Sequence, residues 1–358
     1  MKFFLALVVF LFVVNASFGQ EAKNISEAWE GFSSPDIMSS GFVHDFATLP
    51  LEASLLGGNK AWSSHYWPSK KAGINNRWFS PKDETFDYQS PDKATVAKMD
   101  LDAKKTLSPS EKYDLLMGRY DYPLKKEVYG VTSRLSKDWV GICHGWAPAA
   151  IHHNEPNPKY IQNADGVVIP FGSADIKALL SYYYAYHYES ETVHQVGKRC
   201  FFGSWIGGAR GCGDDLNAGA FHIILANKLG IKHEGFVADV ERFNEVWNQP
   251  IVGFRSQVLE KDLPPSKKAA KNAVSEVRIA TEFFYTDESE PNWETVMGTS
   301  EQVVSKLELL YRVELDAEGK IVGGAWESSV RPDFLWDKDK APAFDGYFEK
   351  LSILINDN

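Results

Sequence analysis

The chain reads as an α+β protein, a helical half followed by an antiparallel β half. Three observations predict it. Helix signals gather in the first two thirds, where Ile176, Leu179, Leu180, Tyr183 and Tyr184 recur at helical spacing within ADIKALLSYYYAYHY. From Gly235 the character changes: GFVADV is apolar and β-branched, and VRIATEFFYTD alternates. KLELLYRVELDAEGKIVGGAW then reads as a hairpin turning at Asp316-Ala317-Glu318-Gly319. Helices first and strands later is the order of an α+β chain, not of an alternating α/β one.

Residues 1–19 carry the marks of a signal peptide. Lys2 gives the positive start, Phe3 to Val14 the apolar run, and Ser17 and Gly19 the small residues before a cut at Gln20. The run is short for a membrane span, so the mature protein is expected to be secreted or periplasmic, without stable membrane insertion. Residues 20–45 read as a loosely held arm. Phe46 to Ser80, rich in Trp, Tyr, Gly and Pro without a period, reads as packed loops. Ser108, Pro109 and Glu111 set a cap, a first-turn proline and a capping box. Val167 to Pro170 is a short strand, and AGAFHIILANKLGI a helix stopped by Gly230. VWNQP after the GFVADV strand reads as a proline-stopped surface loop that, following Asp239 so closely, can border an active-site cleft, and KKAAKNA as a solvated patch. Without repeats or an obvious linker, residues 46–345 are expected to form one composite catalytic domain, with 346–358 as a tail.

At 358 residues the chain can bury a large core, and 13% aromatics with 11 Trp allow aromatic-lined clefts. A formal net charge of −10 argues against nucleic acid as a partner. The three cysteines are more specific. Cys200 and Cys212 lie twelve positions apart in CFFGSWIGGARGC and are natural disulfide partners, leaving Cys143 alone in DWVGICHGWAPAAIHH. An unpaired thiol in an exported chain is a reactive nucleophile, an intermolecular bridge or a buried structural residue. The small-residue run behind Cys143 can begin a helix, whose dipole would lower the thiol pKa, and this favours the nucleophile.

A thiol nucleophile needs a base, and the base an orienter. Of nine histidines, His222 follows the small residues Gly219-Ala220, where a backbone or substrate could come close. Asp239 sits in an apolar strand, where a carboxylate needs a partner. Cys143, His222 and Asp239 are therefore the expected catalytic set, with His233 as the next candidate base. His144 would point away along the helix, His152 and His153 read as surface or cap residues, and His187 and His194 lack an acidic partner in pattern. Lys137 and Trp139 are candidate second oxyanion donors beside the Cys143 N–H, and Trp139 and Trp146 candidate walls of a dry acyl pocket. HH at 152–153 has no HExxH or CxxC companion, and Asp287-Glu288-Ser289-Glu290 follows no EF-hand loop, so no metal or cofactor is expected.

The order Cys, His, Asp resembles papain-like thiol enzymes, although CGSCW is absent and Lys137 stands where their oxyanion glutamine would be. More of the chain is similar to the transglutaminase elicitor family. AWSSHYWP, LSPSEKYDLL, GICHGWAPAA, DIKALLSYYY, GAFHIILANKLG, GFVADVERFNEVWNQPIVGF and ELDAEGKIVGGAWESS carry that resemblance over most of residues 46–340. VWNQP followed by Gly253-Phe254 resembles the surface peptide by which plants sense the family's oomycete enzymes. The resemblance implies a papain-like core and an acyltransferase that joins protein glutamine to lysine amines through a thioester on Cys143. Regulatory calcium stays open, since some transglutaminases use it. A protease, a glutamine deamidase and an inert secreted binding protein are the rival readings.

Overall fold

The computed structural model describes residues 31–188, 193–202, 209–210, 215–242, 245–338 and 340–355, and in it helices and antiparallel strands segregate as the chain order predicts. The helices are α1 (Lys93–Lys98), α2 (Leu101–Lys105), α3 (Pro109–Leu116), α4 (Pro123–Val131), α5 (Cys143–His152), α6 (Ser173–Tyr186), α7 (Ala218–Leu225) and α8 (Leu351–Ile355). The strands are β1 (Glu52–Ser54), β2 (Lys159–Gln162), β3 (Val168–Phe171), β4 (Val193–Gly197), β5 (Phe201–Phe202), β6 (Ala209–Arg210), β7 (Phe236–Asp239), β8 (Asn248–Leu263), β9 (Ser275–Thr286), β10 (Val304–Leu315), β11 (Ile321–Trp326) and β12 (Phe334–Lys338).

The helical half closes around Trp62, Trp67, Tyr113, Trp146, Ile176 and Leu179, all buried. α3 starts as its sequence dictates: Ser108 Oγ accepts the Glu111 N–H at 3.3 Å and the Glu111 carboxylate accepts the Ser108 N–H at 3.0 Å. Such reciprocal capping satisfies two orphan donors. α5 lies tightly on α6. A Cβ at Gly145 would stand 2.0 Å from the Ser181 carbonyl oxygen, so glycine alone fits that crossing.

The β half is one antiparallel sheet in the order β11-β10-β9-β8-β7-β12-β4, with β1 also paired to β8. α7 packs on the sheet through Gly219, where a Cβ would meet the Gly323 carbonyl oxygen at 2.2 Å. Phe221, Ile224, Phe254, Ile279, Phe283 and Tyr311 fill that second core. The hairpin turn forms where expected: Asp316 Oδ1 accepts from Glu318 N and Lys320 N, and Gly319 takes φ +79°. Only glycine adopts that conformation without strain.

Four local expectations are corrected. Residues 31–45 are not loose, since Met38 and Phe42 are buried in the second core and Val43 exchanges two hydrogen bonds with the Asn227 carboxamide. Residues 346–355 are no tail either, because Phe348, Leu351 and Leu354 insert between helices of the first core. The AGAFHIILANKLGI helix forms over its full length, but its second half is a π-helical turn, Ala226–Ile231, that ends one residue past Gly230 and not at it. VWNQP is not a surface loop, for Asn248 opens the longest strand, β8, and its first seven residues are buried. The expected leader, residues 1–19, lies outside the described residues. Among those described, no helix is long and apolar enough to cross a membrane.

Candidate active site

Cys143 is the first residue of α5, and two local features put it there. The loop before it runs hard against another backbone: Ile142 N donates to Tyr66 O at 2.8 Å, and a Cβ at Gly141 would stand 2.4 Å from the same oxygen. Ile142 is the N-cap and offers no side-chain acceptor, so the first turn of α5 receives no side-chain cap. Cys143 is a free thiol, 4% exposed.

What covers the thiol is the VWNQP segment. Sγ donates to the Val246 carbonyl oxygen at 3.7 Å and accepts from the Asn248 carboxamide Nδ2 at 3.8 Å. The backbone N–H of Asn248 also donates to it. The carboxamide cannot be flipped, because Trp336 Nε1 donates to Asn248 Oδ1 at 2.8 Å and an indole nitrogen is a donor only. Asp239 pairs with Asn248 across β7 and β8, and its Oδ1 accepts the Trp247 N–H at 2.9 Å. Gln249 Nε2 donates to Glu288 at 2.8 Å. The Tyr66 and Trp247 rings meet edge to face, 5.5 Å between centroids.

This setting holds the thiol protonated. Burial first, then the charges of Glu288 and Asp239, push its pKa up to about 11 against the pull of the two Asn248 donors. The expected lowering by the helix dipole is therefore overturned: desolvation disfavours the anion more than the helix start favours it. The carboxyls are displaced in turn. Burial, then Asp333, raises Asp239 to about 8. Asp333, whose Oδ2 accepts the Cys200 N–H at 2.7 Å, is raised to about 7 by burial. Burial and Asp287 raise Glu288 to about 8.

A profile described as Transglutaminase elicitor matches residues 131–350, more than half of the chain, including Cys143, Asp239, Asn248 and Glu288. The chain belongs to the transglutaminase elicitor family. Its fold is similar to the crystal structure of the GP42 transglutaminase from Phytophthora sojae, with TM-score 0.65 and 23% identity over 88% of this chain and 93% of that one. No curated protein matches the sequence.

In this family member the expected catalytic set is only partly assembled. Cys143 and Asp239 come together through the residues Val246 to Asn248, but His222 does not join them. It is fully buried on α7, its Nδ1 bonded to the Tyr311 hydroxyl at 2.9 Å and its Nε2 without a hydrogen-bond partner. Burial lowers its pKa to about 4. The small residues beside it admit the β11 backbone, not a substrate. His233 is exposed at φ +55°. Lys137 is exposed, and Trp139 is partly buried with the Arg199 guanidinium 5.8 Å from its ring centroid. Trp146 is a core residue and walls no pocket, fully buried with Nε1 donating to Trp62 O at 3.1 Å. His152 and His153 both meet the Tyr184 hydroxyl. His187 and His194 do have acidic partners, Glu127 and Asp337. Cys200 is buried, and its expected partner Cys212 lies outside the described residues.

Sequence reasoning gave Tyr66 and Glu288 no place, and set VWNQP beside the cleft through its nearness to Asp239, as found, without a role for Trp247, Asn248 or Gln249. One signal was available for Asn248 and Gln249: two adjacent carboxamides between a tryptophan and a run of strand-forming residues are as anomalous as Asp239 in its apolar strand.

Proposed function

We propose that Cys143 is the nucleophile of a protein-glutamine γ-glutamyltransferase, exported and acting on proteins that carry glutamine and lysine. The observation that carries this reading is the free thiol at the start of α5, held between the Val246 carbonyl and the Asn248 carboxamide, with Asp239 and Glu288 on the residues beside them. A nucleophile helix laid against an antiparallel sheet supports the papain-like core that the sequence order suggested.

The chemistry follows from those groups. The Cys143 proton passes to Glu288 or Asp239, whose proton affinity suits exchange near neutral pH. Sγ then bonds to the glutamine carboxamide carbon, the C–N bond breaks, and ammonia leaves with a proton returned by the same carboxyl. A lysine amine adds to the thioester carbon, gives a proton to that carboxylate and expels Sγ, which takes the proton back as the free thiol and leaves an isopeptide bond. Tyr66 and Trp247 are the apolar surfaces that exclude competing water. His222 has no place in these steps as the fold stands. The test is incubation of the purified mature protein with a fluorescent primary amine and a glutamine-rich protein. Amine incorporation with ammonia release supports the reading; ammonia without incorporation makes the protein a deamidase, and new N-termini without ammonia make it a protease.

One observation favours a second reading, a catalytically silent binding protein. Cys143 is 4% exposed and protonated, and Val246 and Asn248 lie over it. Absence of all three products, with Cys143 also resistant to alkylation, would establish that form.

A further inference from the structure

We infer that Asn248 is a catalytic residue of this site, the side-chain donor that stabilises first the Cys143 thiolate and then the oxyanion of the tetrahedral intermediate. The inference rests on the acyl-transfer reading and adds to it the residue that lowers the barrier.

Attack by Sγ turns the substrate carbonyl oxygen into an anion attached to the carbon that Sγ has just bonded. Donors converging on the sulfur are thus already aimed at the region where negative charge develops. The Asn248 carboxamide is placed for this, 3.8 Å from Sγ; the Asn248 backbone N–H acts on the thiol in the same sense, and Cys143 itself opens α5 without a side-chain cap on its first turn. The carboxamide contact is a direct hydrogen bond to sulfur, so the developing oxyanion would lie beside Sγ, on the carbon it has bonded, and take over that N–H.

Preorganisation makes a donor effective, because no free energy is then spent turning it during the reaction. The Asn248 amide is fixed at both ends. Its oxygen is taken by Trp336 Nε1 at 2.8 Å, on β12, and its backbone is clamped by pairing with Asp239 of β7. Asn248 and Trp336 are 5% and 7% exposed, so water does not replace either bond. Rotation that would present Oδ1 to the sulfur would set an acceptor against the anion and leave the indole N–H unsatisfied. Of the groups named around Cys143, the two Asn248 donors favour its anion, while burial, Glu288 and Asp239 oppose it. The donor that the sequence placed at Lys137 or Trp139 is thus supplied from the opposite wall, by β8.

The experiment compares two reactions of one sulfur. Alkylation by iodoacetamide needs the thiolate but forms no oxyanion, whereas acylation by glutamine needs both. With the wild-type protein active in amine incorporation, Asn248→Ala should lower kcat by about 10²- to 10³-fold with little change in KM. Its alkylation rate should fall much less, with the alkylation pH profile moved to higher pH. Asn248→Asp should be impaired at least as strongly, and more so as pH rises. Trp336→Phe, which frees the carboxamide while keeping it, should show the same pattern at smaller size and guards against misfolding of the Asn248 variants. Equal losses in alkylation and acylation would reduce Asn248 to a thiolate donor and overturn the oxyanion role. A kcat within threefold of wild type in Asn248→Ala would overturn both roles. Wild-type protein that incorporates no amine and releases no ammonia defeats the acyl-transfer reading, and the inference with it.

Discussion

Cys143 and His222 make an instructive pair. Each lies on a helix packed against the sheet, each is buried, and burial holds each in its neutral form, the thiol near 11 and the imidazole near 4. Their neighbours differ. Around the thiol are strand-end carboxamides and carboxyls, with Asn248, Asp239 and Glu288 close enough to act on it. Around the imidazole are Phe46, Phe221 and the second core, with one hydroxyl, that of Tyr311, as partner. Burial alone therefore does not mark a chemical site. The mark is a buried reactive group whose surroundings contain further polar groups that the fold does not need for its own ladders.

The largest effect that tests this contrast is loss of the sulfur. Cys143→Ala should abolish amine incorporation, while His222→Phe should retain it within a few-fold. His222→Phe should instead lose about 1–3 kcal/mol of stability in denaturant unfolding, because the Tyr311 hydroxyl loses its imidazole partner and keeps Thr281 and Ser256. Abolished turnover with unchanged stability in that variant would restore His222 as the base. Smaller, and opposite in the two regions, is the dependence of stability on pH. Asp239, Asp333 and Glu288 have folded pKa values raised from ordinary carboxyl values to about 8, 7 and 8, so the folded state holds those protons more tightly. Their stabilising effect is full below pH about 4 and is lost as pH rises toward 8. His222 is lowered from 6.5 to about 4, so its contribution is full above 6.5 and is lost as pH falls through 4. Between pH 6.5 and 8 the melting temperature should therefore fall. Asp239→Asn should flatten that decline and His222→Phe should leave it unchanged; an unchanged slope in Asp239→Asn would contradict the buried-carboxyl assignment. The smallest effect is at the disulfide expected between Cys200 and Cys212. Peptide mapping after alkylation should find Cys143 as the one modified thiol, and a bridge from Cys143 in active protein would end its nucleophile role.

Much of the fold was legible because its signals are local. Ser108 and Glu111 cap α3, Asp316 and Gly319 turn the β10–β11 hairpin, and the apolar spacing of α6 needs no distant partner. The site was half legible. The lone cysteine and the misplaced Asp239 were visible by chemistry alone. His222 misled because Gly219 and Ala220 do allow a close approach, but what approaches is β11. Pro250 hid β8, since proline normally ends a strand. It is tolerated here because Asn248 to Pro250 pair with β7 alone, and β9 joins at Ile251. Glu288 could not be assigned from sequence, for its relation to Gln249 depends on the register of β9 against β8.

The burial of residues 346–355 has a consequence for how the chain comes to be folded. The Tyr113 hydroxyl donates to Tyr347 O at 3.0 Å, and Lys350 Nζ to Leu116 O at 3.0 Å, contacts that span 234 residues of chain. Synthesis delivers α3 and the strands β8 to β11 before Tyr347 and Lys350, so the strands can pair before the helical half has these partners. Closing so wide a loop is slow relative to hairpin formation, so the expected order is hairpins of the sheet first and the docking of residues 347–354 on α3 late; pulse-labelled hydrogen exchange protecting β9 and β10 before α3 would bear this out.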